Sequence, residues 1–293
     1  MKTTLFAAAF ALAASIGFSA CTGTTRRTVD VLVIGGTTSG TSAAIAAARE
    51  GVSTLVVEPT PMLGGMLTAQ GVSAIDGNDG LPSGFWNEFR EALRSHYGGP
   101  EALRTGWVSA TQFEPSVADS IFKAKAAAEP TLEVIHGYRL VEVYREGDAV
   151  TGARFTDDRG GRLEVAARIT IDATDLGEAL PLSGTAYRVG MDARADTGER
   201  QAFEQANDIV QGYDPAEFEG CCTAGGKPMD PAYMIKYGRL PNGKYMINWP
   251  THGNDYYANV VEMPYEERIE ALKPAREKTL RFIYHLQPEL GFR

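Results

Sequence analysis

The sequence predicts an α/β fold built on a parallel sheet, with an inserted antiparallel β-meander and a partial α+β region after it. Three observations carry this. First, Val31-Leu32-Val33-Ile34 is a continuous apolar run, as in a strand buried on both faces. It opens into Gly35-Gly36-Thr37-Thr38-Ser39-Gly40, followed by an alanine-dense run over 43–48. Second, after Gly51 comes another β-rich run, Thr54-Leu55-Val56-Val57, closed by the acid Glu58. Third, short β-rich runs separated by turn signals fill 131–172. Strand, glycine turn, helix, strand and acid in that order make a dinucleotide-binding βαβ unit.

Each part of that unit has a physical job. Gly35 permits the tight turn out of the first strand, and Gly40 lets the helix start pack close to the sheet. A diphosphate would lie against free N–H groups at the helix N-terminus, where the helix dipole favours negative charge. Glu58 stands roughly 20 residues after the turn, where the motif places the acid that binds a ribose hydroxyl. One position departs from G-x-G-x-x-G. Thr37 occupies the place of the second glycine.

The string VIGGTTSGTSAAIAAAREGVSTLVVEPTPMLGGMLT resembles the N-terminus of FAD-dependent oxidoreductases with the glutathione-reductase-type, Rossmann-like FAD/NAD(P)-binding fold. It is similar to the bacterial branch in which GGT-x-x-G is common and Leu-Gly-Gly-Met follows the ribose acid. The resemblance continues through IDATDLGEALPLSG and NWPTHGNDYY, so it covers nearly everything after residue 29. It implies FAD as cofactor, with residues Gly35, Gly36, Thr37, Thr38, Ser39 and Gly40 at the diphosphate. It also implies that Gly64-Gly65-Met66 runs past the flavin side.

Composition bounds the rest. The chain has 293 residues, 44% hydrophobic and 22% charged, ample for a core, and its net charge of −9 argues against a nucleic-acid partner. Residues 1–21 read as a signal peptide: Lys2 supplies the positive end, and a short apolar stretch leads to Phe18-Ser19-Ala20-Cys21. That end resembles a lipobox with Phe18 for the usual leucine, making Cys21 a lipidation site and the chain a membrane-anchored lipoprotein on the periplasmic or cell-surface side. Simple cleavage after Ala20 without lipid is the alternative. Arg26-Arg27 follow the apolar run, so they are not a twin-arginine signal. Residues 22–28 then read as a tether and 29–185 as the FAD-binding domain. Cys221 and Cys222 are adjacent, the wrong spacing for zinc or an iron–sulfur cluster, and no metal is expected.

Taken in order, a glycine- and aspartate-containing loop covers 71–79. Ser83 offers a helix cap before Phe85, Trp86, Phe89 and Leu93, and a second helix starts near Glu114-Pro115 and stops before Pro130. Strands are predicted at 132–135, 138–144, 150–155, 162–165 and 169–171, the first four forming the meander's surroundings and the last returning to the main sheet. By resemblance, the backbone near Tyr138 and Arg139 passes the adenine, while His136 reads as structural. Ile171-Asp172-Ala173-Thr174-Asp175 resembles the family's strand ending in ATG, with Asp175 in place of glycine and the small Ala173 allowing the backbone close to the cofactor.

A substrate-facing region is expected from 186 to 293. Its densest polar–aromatic stretch runs from Asn248 to Tyr257, which reads either as a substrate- or flavin-facing loop or as a structural turn. His252 and Asp255 are its candidates for proton transfer. Pro264, Glu266 and Glu267 start a helix whose Ile269, Leu272 and Ala275 would pack on the main body. The function expected is transfer of hydride or electrons from a small organic substrate through bound flavin to a separate acceptor. A nicotinamide-dependent dehydrogenase and a non-catalytic exported binding lipoprotein are the alternatives. Enzymes of the resembled family return to the first domain through a late strand and a Gly-Asp pair. Gly147-Asp148 comes too early for this, so the polypeptide is expected to be an incomplete flavoprotein with weak FAD affinity.

Overall fold

The computed structural model describes residues 23–190, 192–206, 223–224, 227–228, 230–249 and 253–290. A six-stranded sheet organises the first part. In chain order it is made of β1 (Thr24–Ile34), β2 (Thr54–Glu58), β3 (Leu132–His136), β4 (Arg139–Glu146), β5 (Ala149–Thr156) and β6 (Arg162–Asp172), arranged β3-β2-β1-β6-β5-β4. β1 pairs in parallel with β2 and β6, and β2 with β3, whereas β4, β5 and β6 form the antiparallel meander. Helices α1 (Thr38–Arg49), α2 (Gly84–Tyr97) and α3 (Pro115–Ala127) supply the connections.

The continuous apolar runs of β1 and β2 are explained by burial on both faces. Alternation along a strand sends Val31, Val33 and Val56 to one side, where they meet Phe89, Leu93, Phe113 and Phe122 from the helical layer and its loops. Leu32, Ile34, Leu55 and Val57 face the other way, onto Val143, Ala153, Phe155, Leu163 and Val165 of the meander. The meander therefore folds back over the parallel sheet and acts as its second cover. Phe89 stacks on Phe122 at 4.8 Å and meets Phe113 edge-on at 5.5 Å, joining α2 to α3.

Two expectations are corrected here. The tether expected at 22–28 is strand: Thr24–Thr28 pairs residue for residue with 162–166, and Arg26 bonds Glu164 at 2.9 Å. This half of β1 is solvent-exposed, so its polar sequence carries no burial signal. Likewise 162–165 and 169–171 are not two strands but one, β6, because the intervening Ala166-Ala167-Arg168 contains no turn former and continues the ladder with β1.

Beyond β6 lie short helices α4 (Ala179–Ser183), α5 (Arg194–Thr197) and α6 (Pro231–Met234), a small ladder of β7 (Thr223–Ala224) with β8 (Lys227–Pro228), and the long α7 (Tyr265–Leu290). Met234, Trp249, Phe282 and Leu286 form their own cluster there. The face of α7 expected to pack, Ile269 and Leu272, is instead 47% and 43% exposed. The helix has apolar residues on more than one side, and the side carrying Phe282 is the one that meets Trp249, at 6.0 Å.

Candidate functional site

The glycine turn leaves the carboxyl end of β1, between β2 and β6. Chain order reverses at this point of the sheet, and in open α/β sheets ligands bind outside the strand ends at such a switch point. Three glycines are held there by contact. A Cβ on Gly40 would lie 2.1 Å from the Gly35 carbonyl oxygen and 2.9 Å from Ala173 Cβ. At Gly35, with φ of +96°, it would lie 2.6 Å from the Ala173 oxygen, and at Gly36 2.6 Å from Leu63 Cδ2. The small Ala173 also packs against the turn, where it leaves room for Gly40.

Thr37 explains its own departure from the motif. Its φ of −62° is open to any residue, and it is the N-cap of α1, its Oγ1 accepting from the Gly40 N–H at 3.2 Å. The same hydroxyl donates to the Ala173 carbonyl at 2.8 Å, tying the helix start to the end of β6. Thr38 donates through Oγ1 to the Gly64 carbonyl at 2.7 Å, and the Gly64 N–H donates to the Gly36 carbonyl at 2.7 Å. A Cβ on Gly65 would stand 3.1 Å from Thr37, so glycine at 65 makes room for threonine at 37. Met66 beyond it is 54% exposed, and Ser39 is exposed at the helix start.

Glu58 is buried at the end of β2. Its Oε2 accepts from the Gly36 N–H at 2.7 Å and its Oε1 from the Thr60 N–H at 2.8 Å. The carboxylate therefore shapes the turn itself and still has lone pairs free on each oxygen for a hydroxyl. Gly137 donates to the Glu58 carbonyl at 2.8 Å, which sets the 136–138 backbone beside it. The Arg139 side chain turns elsewhere: its guanidinium pairs with Asp158 and lies 4.4 Å over the Tyr265 ring. His136 Nδ1 contacts the Thr60 carbonyl at 2.7 Å, the structural role expected of it.

The site also uses residues the motif did not announce. Asp119 on α3 accepts from the Leu63 N–H at 2.9 Å and pairs with Lys123, which holds the Pro61 carbonyl at 2.7 Å. Gln70 donates to Asp175 at 2.7 Å. Asp175 is surface-accessible, yet loss of water around its carboxyl raises it above its ordinary range; the Gln70 bond opposes that rise and the Glu178 charge adds to it. Asp119 had no signal in the sequence, whereas Asp175 stood out as an acid where the resemblance has glycine.

Of the proton-transfer candidates, His252 lies outside the described residues, as do Cys21, Cys221 and Cys222. Asp255 is surface-accessible, yet loss of water around it raises its carboxyl above the usual range, with the Lys278 charge opposing. Lys278 donates to the Asp255 carbonyl oxygen at 2.6 Å. Within the same loop Asn254 accepts from the Trp249 N–H at 2.8 Å and donates to the Ile247 carbonyl at 3.2 Å, a structural closure of the loop's neck.

Residues 30–293 match the family described as FAD dependent oxidoreductase. The chain belongs to this family. FAD is the cofactor, and the nicotinamide reading gives way to it. No curated protein sequence matches the chain. Among solved structures it is similar to the myxobacterial chondrochloren halogenase CndH, with 18% identity, TM-score 0.39, and 51% of this chain and 38% of that one covered. A geranylgeranyl bacteriochlorophyll reductase-like protein from Thermoplasma acidophilum is similar at 26% identity and TM-score 0.36, over 53% and 41%. L-proline dehydrogenase from P. horikoshii follows at 13% identity and TM-score 0.39, over 57% and 59%. The chain therefore spans between 38% and 59% of the length of these three proteins.

The donor set fits the cofactor. The first turn of α1 has no acidic residue, and its first N–H groups have no intrahelical acceptor, so a diphosphate there meets donors and a favourable dipole.

Proposed function

We propose that this member of the FAD-dependent oxidoreductase family moves hydride or electrons from a small organic substrate to a separate acceptor. Bound FAD supplies the redox chemistry. The observation that carries the reading is the glycine turn at the switch point, braced by Glu58 on one side and Ala173 on the other. In this reading Gly35, Gly36, Thr37, Thr38, Ser39 and Gly40 hold the diphosphate, and Glu58 accepts from ribose hydroxyls. Gly64, Gly65 and Met66 border the flavin side, and the backbone at Tyr138 and Arg139 passes the adenine. His252 and Asp255 are proposed for proton transfer, and the raised Asp255 carboxyl brings that group closer to the range where a proton is exchanged at neutral pH. With the outer half of β1 included, residues 24–185 are read as the FAD-binding domain and 186–293 as the substrate-facing region.

Purified protein should show a flavin absorbance spectrum that is released on denaturation. Glu58→Ala is expected to weaken FAD binding roughly 10- to 100-fold, as for loss of a hydrogen bond to a charged group. Wild-type FAD content in Glu58→Ala would remove that residue from the site.

We further propose that the chain is exported and anchored through lipid on Cys21. The support is the order of positive end, apolar stretch and Phe18-Ser19-Ala20-Cys21. Cys21→Ser should move the protein from the membrane fraction to the soluble one, and equal partitioning of both forms would rule the anchor out.

A further inference from the structure

Two segments flank the start of α1. The 64–71 loop is bound to it through Thr38 and Gly36, and the 172–175 segment through the Thr37 hydroxyl on the Ala173 carbonyl. Each segment is also fixed at its own root. The Gln70 N–H donates to the Gly65 carbonyl at 3.2 Å, and Asp172 Oδ1 accepts from the Thr174 N–H at 3.0 Å and its hydroxyl at 2.8 Å. Past these roots one side-chain bond joins the two segments directly: Gln70 Nε2 to Asp175 Oδ2, 2.7 Å, between residues 105 positions apart. Both side chains belong to exposed residues, so core filling does not account for either. Glycine at 175 could not make the bond.

We propose that Gln70 and Asp175 are positioning residues that form a clasp across the cofactor's diphosphate, setting how fast FAD enters and leaves. This rests on the assignment of the diphosphate to the N-terminus of α1. The clasp joins two protein segments and not protein to cofactor. It therefore obstructs passage in both directions, and breaking it changes the two rates together while leaving their ratio nearly constant. A carboxylate acting only by repelling the anionic cofactor behaves differently, because removing its charge raises the association rate above all.

The test is FAD uptake by, and release from, the full-chain apoprotein, followed by flavin fluorescence in wild type, Gln70→Ala, Asp175→Ala, Asp175→Asn and the double alanine variant. Each alanine variant is expected to raise both rates roughly three- to tenfold, as for loss of one exposed charge-assisted hydrogen bond, with the dissociation constant changed less than about twofold. The double variant should match the single ones, because both remove the same bond. Asp175→Asn keeps an acceptor oxygen and should fall between wild type and Asp175→Ala. Unchanged rates, additive effects, or an increase confined to uptake would overturn the clasp. Gly40→Val separates the two levels. If it loses FAD while the clasp variants exchange FAD at wild-type rates, only the clasp fails; if it binds FAD like wild type, the diphosphate site fails and the clasp with it.

Discussion

A single Cβ at Gly40 would sit 2.1 Å from the Gly35 carbonyl oxygen, a backbone atom that cannot swing away as a flexible side chain would. Gly40→Val should therefore displace the start of α1 and abolish FAD retention, which flavin absorbance after gel filtration would read directly. Thr37 predicts something else. Its hydroxyl contacts the Gly40 N–H, the Ala173 carbonyl and the Ser39 hydroxyl, so Thr37→Ala should cost about 1–2 kcal/mol and lower the thermal midpoint, while Thr37→Ser should retain most of it. At this scale the sequence was legible where local geometry constrains the residue: glycines 35, 36 and 40 fall in the turn, and the acid at 58 closes β2 beside it. It was not legible where a bond crosses the chain. Nothing near Ala173 says that Thr37 will donate to it, and the Arg139 side chain leaves its strand for Tyr265, a partner far along the sequence.

The helical layer is stitched by one carboxylate. Glu88 on α2 receives both terminal nitrogens of Arg49, the last residue of α1, at 2.7 and 3.0 Å, and Lys125 of α3 at 3.0 Å. The Arg49 hydrogen bonds, opposed by desolvation and aided by Lys125, pull its carboxyl from 4.5 to about 2. Because the folded value lies below the unfolded one, this contribution is complete above about 4.5 and is lost as pH falls toward 2. Partial exposure of the pair limits it to about 1 kcal/mol. Glu88→Gln should thus be less stable than wild type at neutral pH, with the difference shrinking on acidification; denaturant midpoints across that range measure it. α2 and α3 were legible because their apolar spacing is local, and Phe89, Leu93 and Phe122 are buried as that spacing requires, whereas Ser83 stands at the N-cap position of α2 without the expected side-chain cap bond. The outer half of β1 was not, because its pairing with β6 is decided by distant residues while its own side chains stay in water.

Among the described residues several groups join the molecule's two parts, and Glu114 makes two of the contacts. It stands at the N-cap position of α3 without a side-chain cap bond and is buried; its Oε1 accepts from Lys244 at 2.6 Å, and Asn242 donates to its other oxygen. Gln112, also buried, donates to the Tyr237 carbonyl at 3.2 Å beside it. Glu114→Ala should cost about 1–3 kcal/mol and speed proteolytic cleavage within 231–249, while FAD retention changes little. Equal cleavage rates in the two proteins would show that the seam is held by other groups. The long reach of β1 has a consequence in time. Arg26 and Glu164 are bonded across 138 positions, so pairing β6 with β1 closes a long loop, and non-local strand contacts of that kind form slowly. Until then Val31–Ile34 has β2 on one side and an open backbone edge on the other, an edge able to pair with a neighbouring chain. The cofactor turn waits as well, since the carbonyl that receives the Thr37 hydroxyl belongs to Ala173, one residue past the end of that late-pairing strand.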